Sequence, residues 1–410
     1  MRISILTIGS EILIGHTVNT NLAFLGDALA REGYTVSREV CIPDEPDIIR
    51  RAVLAELETA DILITVGGLG PTRDDMTRQI VAQALDRELA VDQDLACTIR
   101  DYLHARHVTV QDRQVSNQAS IPRGAEAIEN RNGTAPGIWC PWDDDKVVIM
   151  LPGPPRELCP IFENGILPRL CKLVPPTTAR RMLKVCGIPE STVAQRVENI
   201  LDEKYPGLGI AYCARPSVVD VRLTADRGQK ETINAAVEDL ERHFGDAVLQ
   251  EESEDVATSV ADLLSRQDLW LATAESCTAG GIAARLTDRP GASSYLRGGF
   301  VCYVNEWKEE MLGVKSSTLA EHGAVSSETA DEMLDGLLRR PDVDAGIAVT
   351  GIAGPGGGTP EKPVGLVYIG TGVNEQRAVE RYVFPGDRNN VRLRTIAAGL
   401  DQLRRQLLNQ

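Results

Sequence analysis

Ser276 stands in the run Thr273-Ala274-Glu275-Ser276-Cys277-Thr278-Ala279-Gly280-Gly281, after a short apolar stretch (Leu269 to Ala272) and before a helical pattern starting at Gly281. Strand, tight turn and helix start in that order expose a hydroxyl and leave backbone N–H groups that can hold a developing oxyanion. The same position suits a plain helix cap, because Ser and Thr are preferred there. Cys277 is a second potential nucleophile, but no His partner accompanies it, so it ranks below Ser276. Further on, Gly298-Gly299-Phe300-Val301-Cys302-Tyr303-Val304-Asn305-Glu306-Trp307-Lys308 reads as a buried strand ending near Asn305, where a helix begins. Tyr303 and Lys308 then fall at the strand's carboxyl end, where open α/β sheets keep their sites. A serine activated by a lysine, with a tyrosine nearby, is an alternative to Ser-His-Asp. A core tyrosine and a solvated helix lysine satisfy the same spacing. The loop Thr350 to Gly358 follows the β-like run Ala345 to Val349, and its backbone N–H groups can cradle a phosphate. No P-loop lysine follows it, and a plain turn is the other reading.

Taken together, Ala274 to Gly281, Gly299 to Lys308, His322-Gly323-Ala324-Val325-Ser326, Thr350 to Pro355, Lys362-Pro363-Val364-Gly365 and Phe384-Pro385-Gly386-Asp387-Arg388 resemble nicotinamide-nucleotide amidase (PncC). The resemblance runs unbroken over about residues 256 to 410. It implies hydrolysis of the carboxamide of nicotinamide mononucleotide (NMN) to the nicotinate nucleotide and ammonia, without a cofactor. It makes Ser276 the nucleophile and assigns Tyr303 and Lys308 to the catalytic machinery. Around the substrate it implies Cys277, Thr278, Gly280, Asn305, Thr350, Gly351, Ala353, Gly354 and Arg388. One departure is Ala279, where the family usually has Gly.

The chain has 410 residues, enough for two or three domains. Its 43% hydrophobic and 25% charged residues are those of an ordinary globular protein. A net charge of −16 and only 4% aromatic residues argue against nucleic-acid and anionic-membrane binding, while leaving phosphorylated substrates open because pocket charge is local. Nine scattered cysteines, with no C-x-x-C pair, predict reduced thiols in a cytosol. The amino terminus lacks a signal-peptide layout, and no apolar run approaches a membrane span.

From the start of the chain, residues 3 to 8 read as a buried strand, 19 to 31 as an amphipathic helix, Tyr34 to Ile42 as a strand, Pro46 to Leu57 as a helix and Asp61 to Val66 as a buried strand. That alternation predicts an α/β, doubly wound parallel sheet. Its chemistry should sit where strands end, at Val66-Gly67-Gly68-Leu69-Gly70-Pro71-Thr72-Arg73-Asp74-Asp75. The glycines let backbone approach a ligand, and Asp74 and Asp75 can hold a divalent metal between phosphates or simply open a helix. The loops Asn130 to Gly137 and Leu151 to Glu157 have similar character and equally suit turns. His104 and His107 are spaced to share a helix face, more as a surface pair than as a zinc site.

Gly9-Ser10-Glu11, Asn19-Thr20-Asn21, Gly67 to Thr77, Asn132 to Gly137 and Leu151 to Pro155 resemble the amino-terminal domain of the CinA (competence/damage-inducible) family, which is similar to a molybdopterin-binding fold. With the amidase-like part behind it, the resemblance covers essentially the whole chain. It implies a bifunctional, cytoplasmic, homodimeric enzyme of pyridine-nucleotide salvage. The amino-terminal domain would split ADP-ribose to AMP and ribose 5-phosphate with a divalent metal (Mg, Co or Mn), potassium assisting. Glu11, Gly67, Gly68, Gly70, Pro71, Asn132, Gly133 and Gly153 would then lie around the substrate, with Asp75 and Asp74 on the metal. A non-catalytic nucleotide- or pterin-binding module is the alternative.

The proposed boundaries are 1–172, 173–250 and 256–410. Leu173 to Thr178 reads as a linker, and the segment after it as a small α+β unit, KH-like in CinA relatives. It has no G-x-x-G loop, and residues 172–250 hold 11 Lys+Arg against 11 Asp+Glu, so a spacer or dimerisation role fits better than RNA binding. Gln250 to Asp255 is a charged boundary, Val256 to Arg266 an amphipathic helix, and Asn390 to Leu408 a closing helix.

Overall fold

The computed structural model describes residues 1–72, 75–108, 112–143, 146–215, 218–249 and 255–410. It divides into two compact units: residues 1–180 with 225–230, and 181–224 with 231–410.

In the first unit a six-stranded sheet contains β1 (Ile3–Ile8), β2 (Val36–Ile42), β3 (Ile62–Val66), β6 (Glu126–Ile128), β7 (Gly137–Asp143) and β8 (Lys146–Leu151). A separate short ribbon pairs β4 (Leu89–Val91) with β5 (Ser120–Pro122). The large sheet runs β2-β1-β3-β8-β7-β6. Its first four strands are parallel, as the alternating pattern predicts, whereas β7 and β6 are antiparallel additions joined as hairpins. Period-two alternation along buried strands feeds both faces. Ile62, Ile64, Ile149 and Leu151 pack with Leu25, Leu29, Leu158 and Phe162 on one face, and Leu63, Val148 and Met150 pack with Ile49, Val53 and Val81 on the other. The helices Thr20–Arg31 and Pro155–Ile161 therefore cover one side, and Pro46–Thr59 and Thr77–Ala84 the other. The histidine pair does not share a helix face: the helix Gln93–His104 stops at His104, and His107 takes φ 56° beyond its end.

The second unit holds two sheets. β9 (Thr178–Cys186), β10 (Gly209–Arg215) and β11 (Val218–Asp226) form a three-stranded sheet ordered β10-β11-β9. The helices Glu190–Lys204 and Lys230–Phe244 bury the stripes Val193, Val197, Leu201 and Ile233, Val237, Leu240. This middle module is α+β, as its pattern suggests. The larger sheet runs β13-β12-β14-β15-β16, with β12 (Leu271–Glu275), β13 (Leu296–Val301), β14 (Ala345–Gly351), β15 (Leu366–Val373) and β16 (Gln376–Val383). β13, β12 and β14 are parallel, and β15 and β16 add an antiparallel hairpin. Leu271, Ile347, Val349 and Ile369 face the helices Val256–Gln267 and Arg388–Leu408. Ala272, Ala274 and Ala348 face the helix Ser327–Leu338, small side chains that let it lie close.

The long closing helix also ties the middle module down. Arg404 is fully buried, bonded to Asp401 through Nε (3.0 Å) and Nη2 (2.8 Å) and to the backbone carbonyls of Val248 (3.3 Å) and Asp246. Arg405 donates to the other Asp401 oxygen (3.0 and 2.8 Å) and to the Cys186 carbonyl (3.4 Å). Removing one partner of a buried, hydrogen-bonded ion pair costs far more than removing a surface one. Arg404→Met is therefore expected to lower the stability of this unit by about 3 kcal/mol in denaturant unfolding, and Arg405→Met, whose side chain is half-exposed, by about 1 kcal/mol or less.

Candidate functional site

The C-terminal site forms where β12, β13 and β14 end side by side. Ser276 follows β12 directly. Its N–H donates to the Val349 carbonyl (3.0 Å), and its carbonyl accepts from Ala279 N–H (3.2 Å). The chain reverses through Ala279 (φ 52°) and Gly280 (φ 87°) into the helix Gly281–Thr287. Left-handed backbone costs an alanine about 1–2 kcal/mol, the physical reason a glycine would suit that position. Ser276 is 9% exposed, and its hydroxyl has no hydrogen-bond partner among the described residues. It is not acting as a cap, since no side chain caps this helix from Gly280.

The helix start is instead held by Glu275. Its fully buried carboxylate accepts Ile282 N–H (3.0 Å), Ala283 N–H (2.9 Å) and the Thr273 hydroxyl (3.2 Å). This corrects the expectation that the helix's first N–H groups serve an oxyanion: those of Ile282 and Ala283 are already taken. The N–H groups of Cys277 and Thr278 donate to no backbone or side-chain oxygen among the described residues, which leaves them open to an acceptor.

Neither bland reading of the second motif survives. Tyr303 is 55% exposed rather than in the core, and Lys308, in the first turn of the helix Asn305–Leu312, is 1% exposed rather than solvated. The Lys308 ammonium nitrogen donates to the Cys302 (2.9 Å) and Tyr303 (3.3 Å) carbonyls and has no ion pair among the described residues. Burial pushes its pKa down, opposed only in part by Cys302, Cys277 and Glu306. Asn305 is exposed at the helix start.

The remaining predicted residues close the rim. The Tyr303 hydroxyl accepts from Arg388 Nη2 (2.8 Å), and Arg388 Nη1 donates to the Gly354 carbonyl (2.8 Å), so one guanidinium joins the end of β13 to the loop after β14. The Thr350 hydroxyl is spent on the Ala324 carbonyl (2.6 Å). Gly351 backs onto Val367, Ala353 is buried, and Gly354 takes φ 81°. Thr278 is buried with its hydroxyl unpartnered, and its carbonyl accepts from Arg392 Nη2 (2.9 Å). Arg392, with a buried Nε that lacks a partner, is a site residue that motif reading passes over. Its signal was its place one turn beyond Arg388 on the same helix. Lys362, in the Lys362-Pro363-Val364-Gly365 motif, pins the His322 (2.6 Å) and Val325 (2.7 Å) carbonyls beside this rim through its ammonium.

In the first unit the glycine loop follows β3. Gly67 (φ 102°) and Gly68 (φ 67°) must be glycine, because a Cβ would meet the Ile8 carbonyl at 2.3 Å and the Thr77 hydroxyl at 2.1 Å. Gly153 lies against Gly67, and Gly153 and Glu11 line one cavity of about 310 Å³ with Asn19 and Asn21. Gly70 and exposed Pro71 lead to Asp75, whose Oδ2 accepts from the Thr72 N–H (2.9 Å) and hydroxyl (2.5 Å). Asp74 lies outside the described residues. Among those described, no group of three or more His, Cys, Asp or Glu side chains is placed to hold a metal. Asn132 and Gly133 do not join the Glu11 cavity: Asn132 bonds the Arg156 carbonyl (2.9 Å), and Gly133 packs on Glu157 beside another cavity.

Family comparison agrees along the whole chain. Residues 4–172 match a probable molybdopterin binding domain, 180–250 the damage-inducible protein CinA KH domain, and 253–407 the CinA C-terminal domain. A putative competence-damage inducible protein of Clostridium beijerinckii is 40% identical, covering 100% of both chains. The chain belongs to the CinA family. A CinA-like protein of Dictyoglomus thermophilum is 37% identical, again over 100% of both chains. The crystal structure of a competence/damage inducible protein from Agrobacterium tumefaciens is 39% identical, covers 40% of this chain and 100% of that one, and has a TM-score of 0.37. The three family matches and the two mixed sheets agree with an α/β chain built from a molybdopterin-binding-like domain, a KH-like module and a CinA-type C-terminal domain. Among the described residues no helix is long and apolar enough to cross a membrane.

Burial also separates the two adjacent candidate nucleophiles. It pushes the Cys277 thiol up to about 12, with its own N–H and Arg392 pulling the other way and Glu275 adding to the rise. At pH 8 that thiol stays protonated and therefore unreactive. Iodoacetamide labelling followed by mass spectrometry should modify the exposed Cys97 and Cys213 in the folded chain, and Cys277 only after denaturation.

Proposed function

We propose that this CinA-family chain is a pyridine-nucleotide salvage enzyme whose C-terminal domain hydrolyses the carboxamide of NMN to nicotinate mononucleotide and ammonia. The observation that carries this reading is a buried lysine with no carboxylate partner among the described residues, electrostatically coupled to Cys277, the residue next to the unpartnered Ser276 hydroxyl at a strand-end turn. A neutral amine has two N–H donors and one lone pair. The two carbonyl contacts of Lys308 use the donors and leave the lone pair for a proton.

The Ser276 oxygen attacks the carboxamide carbon while Lys308 takes its proton. The tetrahedral oxyanion is held by the Cys277 and Thr278 N–H groups. Lys308 returns the proton to the amide nitrogen, the C–N bond breaks and ammonia leaves. Water, deprotonated by Lys308, then attacks the acyl carbon and frees Ser276. Tyr303 is oriented at the mouth by Arg388, and Arg388 offers its remaining N–H groups to the nucleotide phosphate.

Ser276→Ala is expected to abolish ammonia release from NMN with an unchanged melting temperature; retained turnover would sink the assignment. The competent form of Lys308 is neutral and its pKa lies below the ordinary 10.5, so kcat/KM should rise with pH along a limb centred below 10.5. Lys308→Met should remove that limb and lower kcat by about 10²–10⁴-fold.

For the N-terminal domain we propose metal-dependent cleavage of ADP-ribose to AMP and ribose 5-phosphate. Glycine backbone after β3 suits a diphosphate, and among the described residues Asp75 keeps one carboxylate oxygen uncommitted. A small divalent ion binds in this way, through one or two carboxylates plus substrate phosphates. When bound, it would neutralise diphosphate charge. A nucleotide- or pterin-binding module without catalysis is the second reading. Asp75→Ala discriminates. Under the first reading, magnesium-dependent AMP formation from ADP-ribose is lost while NMN turnover continues; under the second, neither protein forms AMP.

A further inference from the structure

The seam between the middle module and the C-terminal domain, both in the second unit, encloses a cavity of about 820 Å³. That is the size of small-molecule sites in general. One wall is the helix Arg388–Leu408, from which Arg394, Ala398, Gln402 and Gln406 all contribute. They are four residues apart, so they form a single line along one helix face. Arg394 and Gln402 are separated along the axis by roughly 12 Å.

The polar groups on that line are incomplete. Gln402 is 7% exposed, and its amide N–H₂ faces the Ile369 (3.5 Å) and Ala378 (3.3 Å) carbonyls. Only a donor suits that position, so the other end of the amide is its carbonyl oxygen, which has no partner. Gln406 repeats the arrangement, its N–H₂ on the Thr371 carbonyl (3.4 Å) and its oxygen unpartnered. Two buried acceptors without donors are costly unless a hydrogen-bond donor reaches them. The N–H₂ contacts are long (3.3–3.5 Å) and therefore weak, so a rotation of the broad terminal torsion that loosens them turns each oxygen toward such a donor. Arg394, half-buried at the other end of the line, has no ion pair among the described residues. Of the wall's three carboxylates, Glu380 is engaged by the Tyr382 hydroxyl and Asp401 by Arg404 and Arg405, while Glu190 is exposed on the middle-module side. Tyr382 and Phe384 add a stacked aromatic pair, with centroids 5.2 Å apart and planes at 11°.

We propose that this seam binds a purine nucleoside monophosphate. The N–H groups of the base edge (exocyclic in adenine, exocyclic and ring in guanine) meet the Gln402 and Gln406 oxygens, its π-face lies toward the Tyr382–Phe384 pair, and its phosphate meets Arg394. The site is separate from the Ser276 and Asp75 sites. Its ligand contacts the middle module and the C-terminal domain together, so occupancy favours the docked arrangement.

The test is titration calorimetry on the full chain carrying Ser276→Ala and Asp75→Ala, with GMP, AMP, UMP and ribose 5-phosphate. GMP, with two adjacent donor groups on its base edge, should bind tightest, AMP next, and UMP and ribose 5-phosphate about tenfold or more weakly. Adding Arg394→Gln should weaken purine nucleotide binding by about tenfold or more, as should Gln402→Leu, with the melting temperature of Arg394→Gln unchanged. Absence of purine nucleotide binding, equal affinity for ribose 5-phosphate, or an affinity unmoved by both seam substitutions would each overturn the proposal.

Discussion

The carboxylate of Glu275 is the contact on which the C-terminal site depends. A helix that starts directly after a buried strand brings unsatisfied N–H groups into an apolar interior, where each costs more than a surface one. Glu275 is the last residue of that strand, and its side chain reaches forward to Ile282 and Ala283. The bond crosses the turn and fixes the turn's width, which leaves Ser276 at the crest with its hydroxyl free. It also takes the Ile282 and Ala283 N–H groups of the helix start out of use for any other acceptor. A buried negative charge is tolerated there because two backbone donors and the Thr273 hydroxyl surround it.

Around that turn the sheet supplies the other parts by proximity. β12 lies between β13 and β14, so the chain segments leaving all three strands meet at one end. Lys308 is carried inward by the first turn of the helix after β13, and two carbonyls hold its nitrogen. Arg388 and Arg392, one turn apart, reach opposite sides of the rim: one to Tyr303 and Gly354, the other to the backbone of Thr278. The same helix carries Asp401, Arg404 and Arg405 at its far end, so a single rigid element borders the site and anchors the middle module. The first unit solves a comparable problem differently. Its loop after β3 needs glycine at Gly67 and Gly68 because neighbouring backbone and side-chain oxygens leave no room for a Cβ.

Legibility followed the range of the interactions. Buried strands such as Ile62–Val66 and Ala345–Gly351, the helix Lys230–Phe244 and the glycine turns were readable, since apolar period and local backbone demand are written within a few residues. Strand ends were displaced where pairing rather than composition sets them: β13 stops at Val301, ahead of Tyr303. The antiparallel direction of β6 and β7 and the hairpin at β15 and β16 depend on which strand edge each hairpin finds. Ala279 shows the same division. Its departure from the family pattern was visible, but its left-handed φ was not.

The sequence by itself determined the order of strands and helices, the family, and the residue types at the strand-end turns, because those follow from local periodicity and motif spacing. Only the tertiary structure decided which of those residues are buried, bonded or free. Lys308 became a desolvated amine and Tyr303 an exposed hydrogen-bond partner of Arg388, although spacing alone allowed the opposite for both. Glu275 became a cap, and Arg392 and the glutamines of the closing helix became unfinished hydrogen-bonding groups. Burial and partner choice are set by chain segments tens to hundreds of residues away, and a local pattern carries no record of them.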